Sequence, residues 1–312
     1  MSASNNETNL IDVKGLTTYY PVTEGIIINR MVAQVHAVEN VTFHIKKGET
    51  LSLVGESGCG KTTTGRTIIG LEELSAGEMY FEGNPLSEFN SDDRKSFCQK
   101  VQMIFQDPYS SLNPRITVAE ALAEPLKVHN LVENSAIEER IADLLRKVDL
   151  PPEFGQRYPH EFSGGQRQRI SIARALALDP KLIICDEAVS ALDVTIKAQV
   201  INLLMNLQEQ LGLTYLFISH DLAVVERISH RIAVMYLGQI VEMGSRKDIF
   251  ENPTHSYTKN LLSAVPVADP RLRRSDRALE ADEIPSVIKD MKYVPQLVSH
   301  EEISPGHYVA IE

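Results

Sequence analysis

Cysteine is scarce in this sequence. The three cysteines, Cys59, Cys98 and Cys185, are widely separated, and they form no C-x-x-C pair and no His/Cys cluster at metal-ligand spacing. We therefore expect reduced thiols and no metal framework built on cysteine.

Basic residues are also too few for one broad class of function. The chain has 31 Lys and Arg against 42 Asp and Glu, a formal net charge of -11. Because affinity for a polyanion depends largely on clustered basic side chains, we expect no nucleic-acid groove as the main surface. A local anion site remains compatible with this balance, since it needs only a few groups.

Long apolar runs are missing too. The first ten residues, MSASNNETNL, lack the basic segment and apolar core of a secretory signal, and no stretch reaches about 18 consecutive apolar residues. We therefore expect a cytosolic location.

The hydrophobic pattern predicts an α/β fold. With 312 residues and 43% hydrophobic content, the chain can bury a substantial core. Short β-branched runs between residues 10 and 54 predict an antiparallel entry sheet, and strand-like runs after residue 180 alternate with helical sequence, which favours a mostly parallel core sheet. The predicted later elements are strands at Leu182–Cys185, Thr214–Ile218 and Ile232–Tyr236 and a helix at Val194–Leu211.

Two other regions differ in pattern. Between about residues 115 and 180 the apolar residues recur at helical spacing, and the pair Ser135 and Glu138 predicts a capping box that opens one helix. From about residue 252 the sequence becomes Pro-rich and mixed in charge. There we predict a helix over Tyr257–Val265 and then a loosely structured tail.

A complete phosphate-loop pattern follows the strand that ends at Val54. Its glycines allow successive backbone N–H groups to point inward at a helix N-terminus, its lysine supplies a point charge for the β and γ phosphates, and its threonine offers Mg²⁺ a hydroxyl ligand. The predicted nucleotide-binding residues here are Gly55, Glu56, Ser57, Gly58, Cys59, Gly60, Lys61, Thr62 and Thr63. A catalytic thiol at Cys59 is disfavoured, because a thiolate beside phosphates would be repelled.

Two further motifs extend this chemistry. The apolar run Leu182–Cys185 ends in Asp186 and Glu187, which predicts one acid near Mg²⁺ and one beside the attacking water. The segment from Ser163 to Gln166 leads into a helical run and predicts a second anion site at a helix N-terminus.

Taken together, these motifs resemble those of the ATP-binding subunits of ATP-binding cassette transporters, over most of residues 10–265. The signature of that family matches Ser163, Gly164, Gly165 and Gln166, its Q-loop glutamine Gln106, its D-loop Ser190–Asp193, and its switch histidine His220. Tyr20 matches the aromatic residue that stacks on the base, with Tyr19 as the competing position.

The resemblance implies roles and partners. Glu187, His220 and Gln106 are implied to be catalytic, and Thr62, Gln106 and Asp186 to be Mg²⁺ ligands. Two such chains are implied to enclose ATP head to tail, so that Ser163, Gly164, Gly165, Gln166 and Asp193 contact nucleotide. The implied partners are a second, related ATPase subunit, two membrane permeases and an extracellular substrate-binding protein, with the chain at the cytoplasmic face of the membrane.

Three segments resemble the oligopeptide and dipeptide importers of bacteria: Val54–Lys61, Gln106–Arg115 and Asn252–Leu262. Some members carry a C-terminal iron–sulfur cluster, but this chain has no cysteine after Cys185, so we predict no cluster. Nickel and glutathione importers share the same C-terminal pattern and stay open as alternatives. A cassette ATPase of DNA repair or translation is disfavoured by the single cassette and the acidic balance.

These patterns and the resemblance together predict the domain organisation. It consists of a phosphate-loop nucleoside triphosphatase core over residues 10–251, with an N-terminal antiparallel β subdomain and an inserted helical subdomain at about 107–178, and a C-terminal extension over residues 252–312.

Overall fold

The computed structural model describes residues 9–24, 30–107, 112–264, 288–290 and 293–311. The strands in these ranges are β1 (Asn9–Glu24), β2 (Arg30–Lys46), β3 (Thr50–Val54), β4 (Ala76–Phe81), β5 (Asn84–Pro85), β6 (Val101–Ile104), β7 (Leu182–Asp186), β8 (Thr214–Ile218), β9 (Arg231–Tyr236), β10 (Gln239–Ser245), β11 (Ile288–Asp290), β12 (His300–Ser304) and β13 (His307–Ala310). The α-helices are α1 (Lys61–Ile68), α2 (Ser91–Lys100), α3 (Val118–Val128), α4 (Ile137–Lys147), α5 (Gly164–Leu176), α6 (Val194–Leu211), α7 (Leu222–Ile228), α8 (Arg246–Glu251) and α9 (Ser256–Ser263).

The described strands form two sheets. One has the order β11-β2-β1-β4-β5 and is antiparallel throughout. The other has the order β12-β13-β10-β9-β3-β8-β7-β6, in which β9, β3, β8, β7 and β6 are parallel and the remaining three strands add on antiparallel. The mostly parallel core sheet is confirmed, and the antiparallel entry sheet is confirmed for β1 and β2. The prediction that this entry sheet extends to residue 54 is wrong, because β3 pairs parallel with β8 and β9 in the core sheet.

The parallel strands are buried on both faces. β3, β7 and β8 are five-residue runs in which every residue is buried, as expected of a parallel sheet covered on two sides. On β7, Ile183 and Cys185 pack into a core with the helices α3 to α6, whereas Leu182 and Ile184 pack with the antiparallel sheet. The core sheet therefore lies between the helical region and the N-terminal sheet.

The capping of two helices in the helical region differs in kind. Helix α3 begins with a reciprocal capping box between Thr117 and Glu120. The capping box predicted at Ser135 is wrong, because residues Asn134–Ala136 form a 3-10 turn and Ala136 precedes α4 without a side-chain cap. An N-cap side chain acts from an extended backbone, which a residue inside a helical turn does not have.

The predicted helix over Tyr257–Val265 is confirmed as α9, which spans Ser256–Ser263, but the prediction of a loosely structured tail is wrong where β11, β12 and β13 form. Strand β13 pairs with β10, and β12 pairs with β13, so the C-terminal residues extend the core sheet. His307 and Glu242 are both buried, and their side chains are 2.8 Å apart. The same carboxylate accepts hydrogen bonds from the backbone of Thr254 and His255 at 2.8 and 3.1 Å.

None of the helices in the described ranges combines the length and hydropathy required to cross a bilayer.

Replacing His307 with alanine tests whether this C-terminal pairing stabilises the fold. We expect the free energy of unfolding to fall by about 1 to 3 kcal/mol, because the buried Glu242 carboxylate loses a hydrogen-bond partner. Urea unfolding measures the change. The matched control is Glu301→Ala on β12, where the side chain is exposed, with an expected change within about 0.5 kcal/mol. Equal unfolding midpoints for the two variants would contradict this assignment.

Candidate functional site

The loop between β3 and α1 is pressed against neighbouring backbone. A Cβ atom at Gly55 would lie 2.2 Å from the carbonyl oxygen of Met235, and one at Gly60 would lie 2.2 Å from that of Ala37. Gly60 also has a φ of 103°, in the left-handed region that favours glycine. A side chain cannot be accommodated at either position, so the loop needs both glycines to curl.

Lys61 lies inside this curl. It is 4% exposed, and its Nζ donates to the carbonyl oxygens of Gly55 and Glu56 at 2.8 and 2.7 Å. The loop thus closes around a cation at a helix N-terminus, where the helix dipole adds further positive potential. This arrangement fits the phosphates of a nucleotide.

Two hard oxygen donors meet beside the loop. The hydroxyl of Thr62 donates to Oδ1 of Asp186 at 2.7 Å, and Asp186 is 2% exposed. Burial raises the pKa of Asp186, although the Thr62 hydrogen bond and the charge of Arg66 act in the opposite direction. A hydroxyl and a carboxylate are the ligand types that Mg²⁺ takes in proteins, so the pair fits that ion.

Three predicted catalytic residues come together where adjacent strands end. Gln106 follows β6, Glu187 follows β7 and His220 follows β8. The Glu187 carboxylate accepts from Gln106 Nε2 at 2.9 Å, and its other oxygen is 3.2 Å from Nδ1 of His220. Since the carboxyl ends of parallel strands meet at one sheet edge, the topology explains the convergence.

The backbone of Glu187 is strained. Its φ is 48°, a left-handed value that is uncommon for a residue with a side chain. Its N–H donates to the carbonyl of Ile218 on β8 at 2.9 Å, which holds the residue in this conformation. Strain of this kind concentrates at functional positions.

The two candidate base-stacking tyrosines have different surroundings. The Tyr19 hydroxyl donates to Glu39 at 2.6 Å, and its ring lies 4.1 Å from that of His36. For Tyr20, burial raises the pKa of the phenol, while the nearby Thr63 side chain acts to lower it and the Glu72 side chain acts to raise it. Tyr20 therefore lies near Thr63 at the start of α1, whereas the Tyr19 side chain is engaged by Glu39 and His36.

The signature and D-loop residues form two helix starts that pack together. Ser163 caps α5 in a reciprocal box with Gln166, and Asp193 caps α6 through the N–H of Ile196 at 3.0 Å. A Cβ at Gly165 would lie 2.3 Å from Cγ2 of Ile196, so the glycine permits this close approach. The sequence motif thus fixes the position of one helix start against the other.

Cys59 is buried in the loop, and burial raises the pKa of its thiol, although Lys61 acts in the opposite direction. A thiol that resists ionisation is a poor nucleophile, which agrees with the expectation that Cys59 is not a catalytic thiol.

Two contacts at the site involve residues that the sequence motifs did not predict to interact. The N–H of Glu56 donates to the Tyr257 hydroxyl at 3.0 Å, and Lys197 Nζ lies 2.6 Å from Oδ2 of Asp221, next to His220. The first joins residues 201 positions apart, and no local pattern could signal it.

Residues 108–111, within the Gln106–Arg115 segment of the sequence prediction, lie outside the described residues.

Comparison with known proteins identifies the two parts of the chain. A family model described as ABC transporter matches residues 38–190, and one described as oligopeptide/dipeptide transporter, C-terminal region, matches residues 241–289. The glutathione import ATP-binding protein GsiA of Salmonella paratyphi A is 56% identical over 301 residues, and that of Escherichia coli is 54% identical. Each alignment covers 96% of this chain but 48% of the relative, so the chain spans about half the length of these curated relatives.

Solved structures agree with this match. A dimeric ATP-binding cassette in a post-hydrolysis state, bound to ADP and Pi, is 28% identical with a TM-score of 0.66, over 76% of this chain and 98% of that one. A dimeric bacterial ABC transporter cassette is 29% identical, with a TM-score of 0.66 and the same coverage. This chain belongs to the ATP-binding subunits of ABC transporters, in the group with the oligopeptide/dipeptide transporter C-terminal region.

Proposed function

We propose that this chain binds and hydrolyses MgATP, and that hydrolysis drives the import of small peptides through a membrane transporter. The observation that carries the proposal is the position of Glu187, between Gln106 and His220 and directly after the Asp186 that holds Thr62. This arrangement places a carboxylate base, two polar neighbours and a candidate Mg²⁺ site around one phosphate loop.

Binding starts with the phosphates. Lys61 exchanges its carbonyl partners in the loop for phosphate oxygens, which are stronger acceptors because they are charged. Thr62 and Asp186 would hold Mg²⁺, with Gln106 as a further ligand, and the bound ion would neutralise charge that develops on the phosphates. Tyr20, beside Thr63, stacks on the base.

Glu187 acts on the attacking water. Its carboxylate orients the water and accepts its proton, as a general base within hydrogen-bond reach does. Gln106 and His220 hold the two carboxylate oxygens, at 2.9 and 3.2 Å, and so fix the direction in which the base points. His220 also donates to the γ-phosphate oxygens.

A second, related ATPase subunit completes the site. The capped start of α5, at Ser163, presents backbone N–H groups of the kind that bind anions. Ser163, Gly164, Gly165 and Gln166 of one chain, together with Asp193, contact the nucleotide held by the other. The dimeric state of the two solved cassettes supports this arrangement.

The transport role follows from the family. Two membrane permeases and an extracellular substrate-binding protein are the remaining partners, with this chain at the cytoplasmic face. Small peptides are the proposed cargo because the C-terminal family model is that of oligopeptide and dipeptide transporters. Glutathione, a tripeptide, is the first to test, since the relatives compared above are named glutathione import ATP-binding proteins.

Glu187→Gln tests the proposed base. We expect MgATP turnover to slow by roughly 10² to 10⁴, because the amide cannot accept the proton of the water, while MgATP binding persists. Steady-state phosphate release and equilibrium titration measure the two quantities. Glu209→Gln, at an exposed position of α6, is the matched control and should keep wild-type turnover. Wild-type turnover in Glu187→Gln would refute the role.

Uptake assays test the cargo. In the native host without this gene, we expect labelled glutathione or dipeptide uptake to be lost, restored by the wild-type gene and not by Glu187→Gln. Ni²⁺ uptake, measured in parallel, should stay unchanged. If only Ni²⁺ uptake were lost, the role as a transport ATPase would stand but the assignment of peptides as cargo would be overturned. Unimpaired uptake of every cargo would favour a cassette ATPase that acts outside transport.

A further inference from the structure

The phosphate loop has a contact with the C-terminal part of the chain. Tyr257, on α9, accepts a hydrogen bond from the backbone N–H of Glu56 at 3.0 Å. This N–H belongs to the second residue of the loop, whereas the Lys61 ammonium contacts the carbonyl oxygens of Gly55 and Glu56.

Tyr257 is held from two directions. Its ring lies 4.3 Å from that of Tyr236, at the end of β9, and both pack against a buried cluster that includes Val54. The chain just before α9 is fixed by Glu242, which accepts from the N–H groups of Thr254 and His255. The phenol is therefore placed before any nucleotide arrives.

On the loop side, Glu56 is held at both ends of its backbone. Its carbonyl accepts from Lys61 Nζ at 2.7 Å and from the N–H of Cys59 at 3.3 Å, while its N–H donates to Tyr257. When the Lys61 ammonium turns to phosphate oxygens, the Glu56 carbonyl loses one of these bonds. The Tyr257 contact uses the N–H of Glu56 and not its carbonyl, so this hydrogen bond does not depend on the Lys61 partner.

The phenol also suits its location electrostatically. Burial raises the pKa of Tyr257, so the hydroxyl stays neutral at physiological pH. A neutral acceptor anchors the loop without adding negative charge near the phosphates.

We propose that Tyr257 is a positioning residue for the phosphate loop, so that MgATP affinity depends on the C-terminal helix α9. The inference rests on the proposed binding of MgATP at this loop. The proposal gives the C-terminal region a part in nucleotide binding. If the loop is in its binding conformation for only a fraction of the time, the apparent affinity for MgATP falls in proportion to that fraction.

Tyr257→Phe removes the hydroxyl and keeps the ring. We expect the dissociation constant for MgATP to rise roughly 3- to 10-fold, the effect of losing one hydrogen bond that holds the loop. Hydrogen exchange at the Glu56 amide should become faster in the same variant. Tyr215→Phe is the matched control, because it removes a buried hydroxyl that donates to the Leu204 carbonyl at 2.9 Å. It should lower thermal stability while leaving the MgATP affinity and Glu56 exchange at wild-type values.

The two measurements distinguish a positioning role for Tyr257 from a purely structural one. Faster exchange with weaker MgATP binding in Tyr257→Phe, and neither in Tyr215→Phe, supports the proposal. Faster exchange with unchanged affinity would make the contact purely structural and overturn it, as would unchanged exchange, whatever the affinity. Failure of the wild-type chain to bind MgATP would instead sink the proposed function, which the same titration shows directly.

Discussion

Two backbone carbonyl oxygens, from Met235 on β9 and Ala37 on β2, occupy the space where side chains would stand on the loop after β3. The loop can approach this closely only because residues 55 and 60 are glycines. This approach joins the core sheet and the antiparallel sheet at one place and forces the chain to curl there. The curl turns Lys61 inward and begins α1 with its N-terminus facing the same space.

The chemistry of the site depends on a second constraint, the parallel alignment of β6, β7 and β8. Three strands that run in the same direction deliver Gln106, Glu187 and His220 to one edge, although these residues are far apart in sequence. Alternate residues of the same strands enter the two flanking cores, so the strands are packed on both faces. Asp186 is buried among these strand ends, so its carboxylate is largely cut off from water. A bound cation would offset this cost of burying a negative charge.

Sequence reasoning predicts the parts of this structure that carry local signals. The buried strands are signalled by short apolar runs and the helix Val194–Leu211 by its sequence pattern. The family resemblance implies that Gln106, Glu187 and His220 share a site, and the structure brings them together. Strands β12 and β13 were not predicted, because four- or five-residue strands in mixed-charge sequence are defined by their partner and not by their own pattern. The Tyr257 contact depends on the whole fold for the same reason.

A crystal structure of the chain with Mg²⁺ and a non-hydrolysable ATP analogue tests the central claim most directly. The account predicts that Lys61 leaves the carbonyl oxygens of Gly55 and Glu56 for phosphate oxygens, while Thr62 and Asp186 face the metal. The loop backbone should keep its present contacts with β2 and β9. An analogue bound elsewhere, or a Lys61 that retains both carbonyl partners with the phosphates out of its reach, would contradict the assignment of this loop as the nucleotide site.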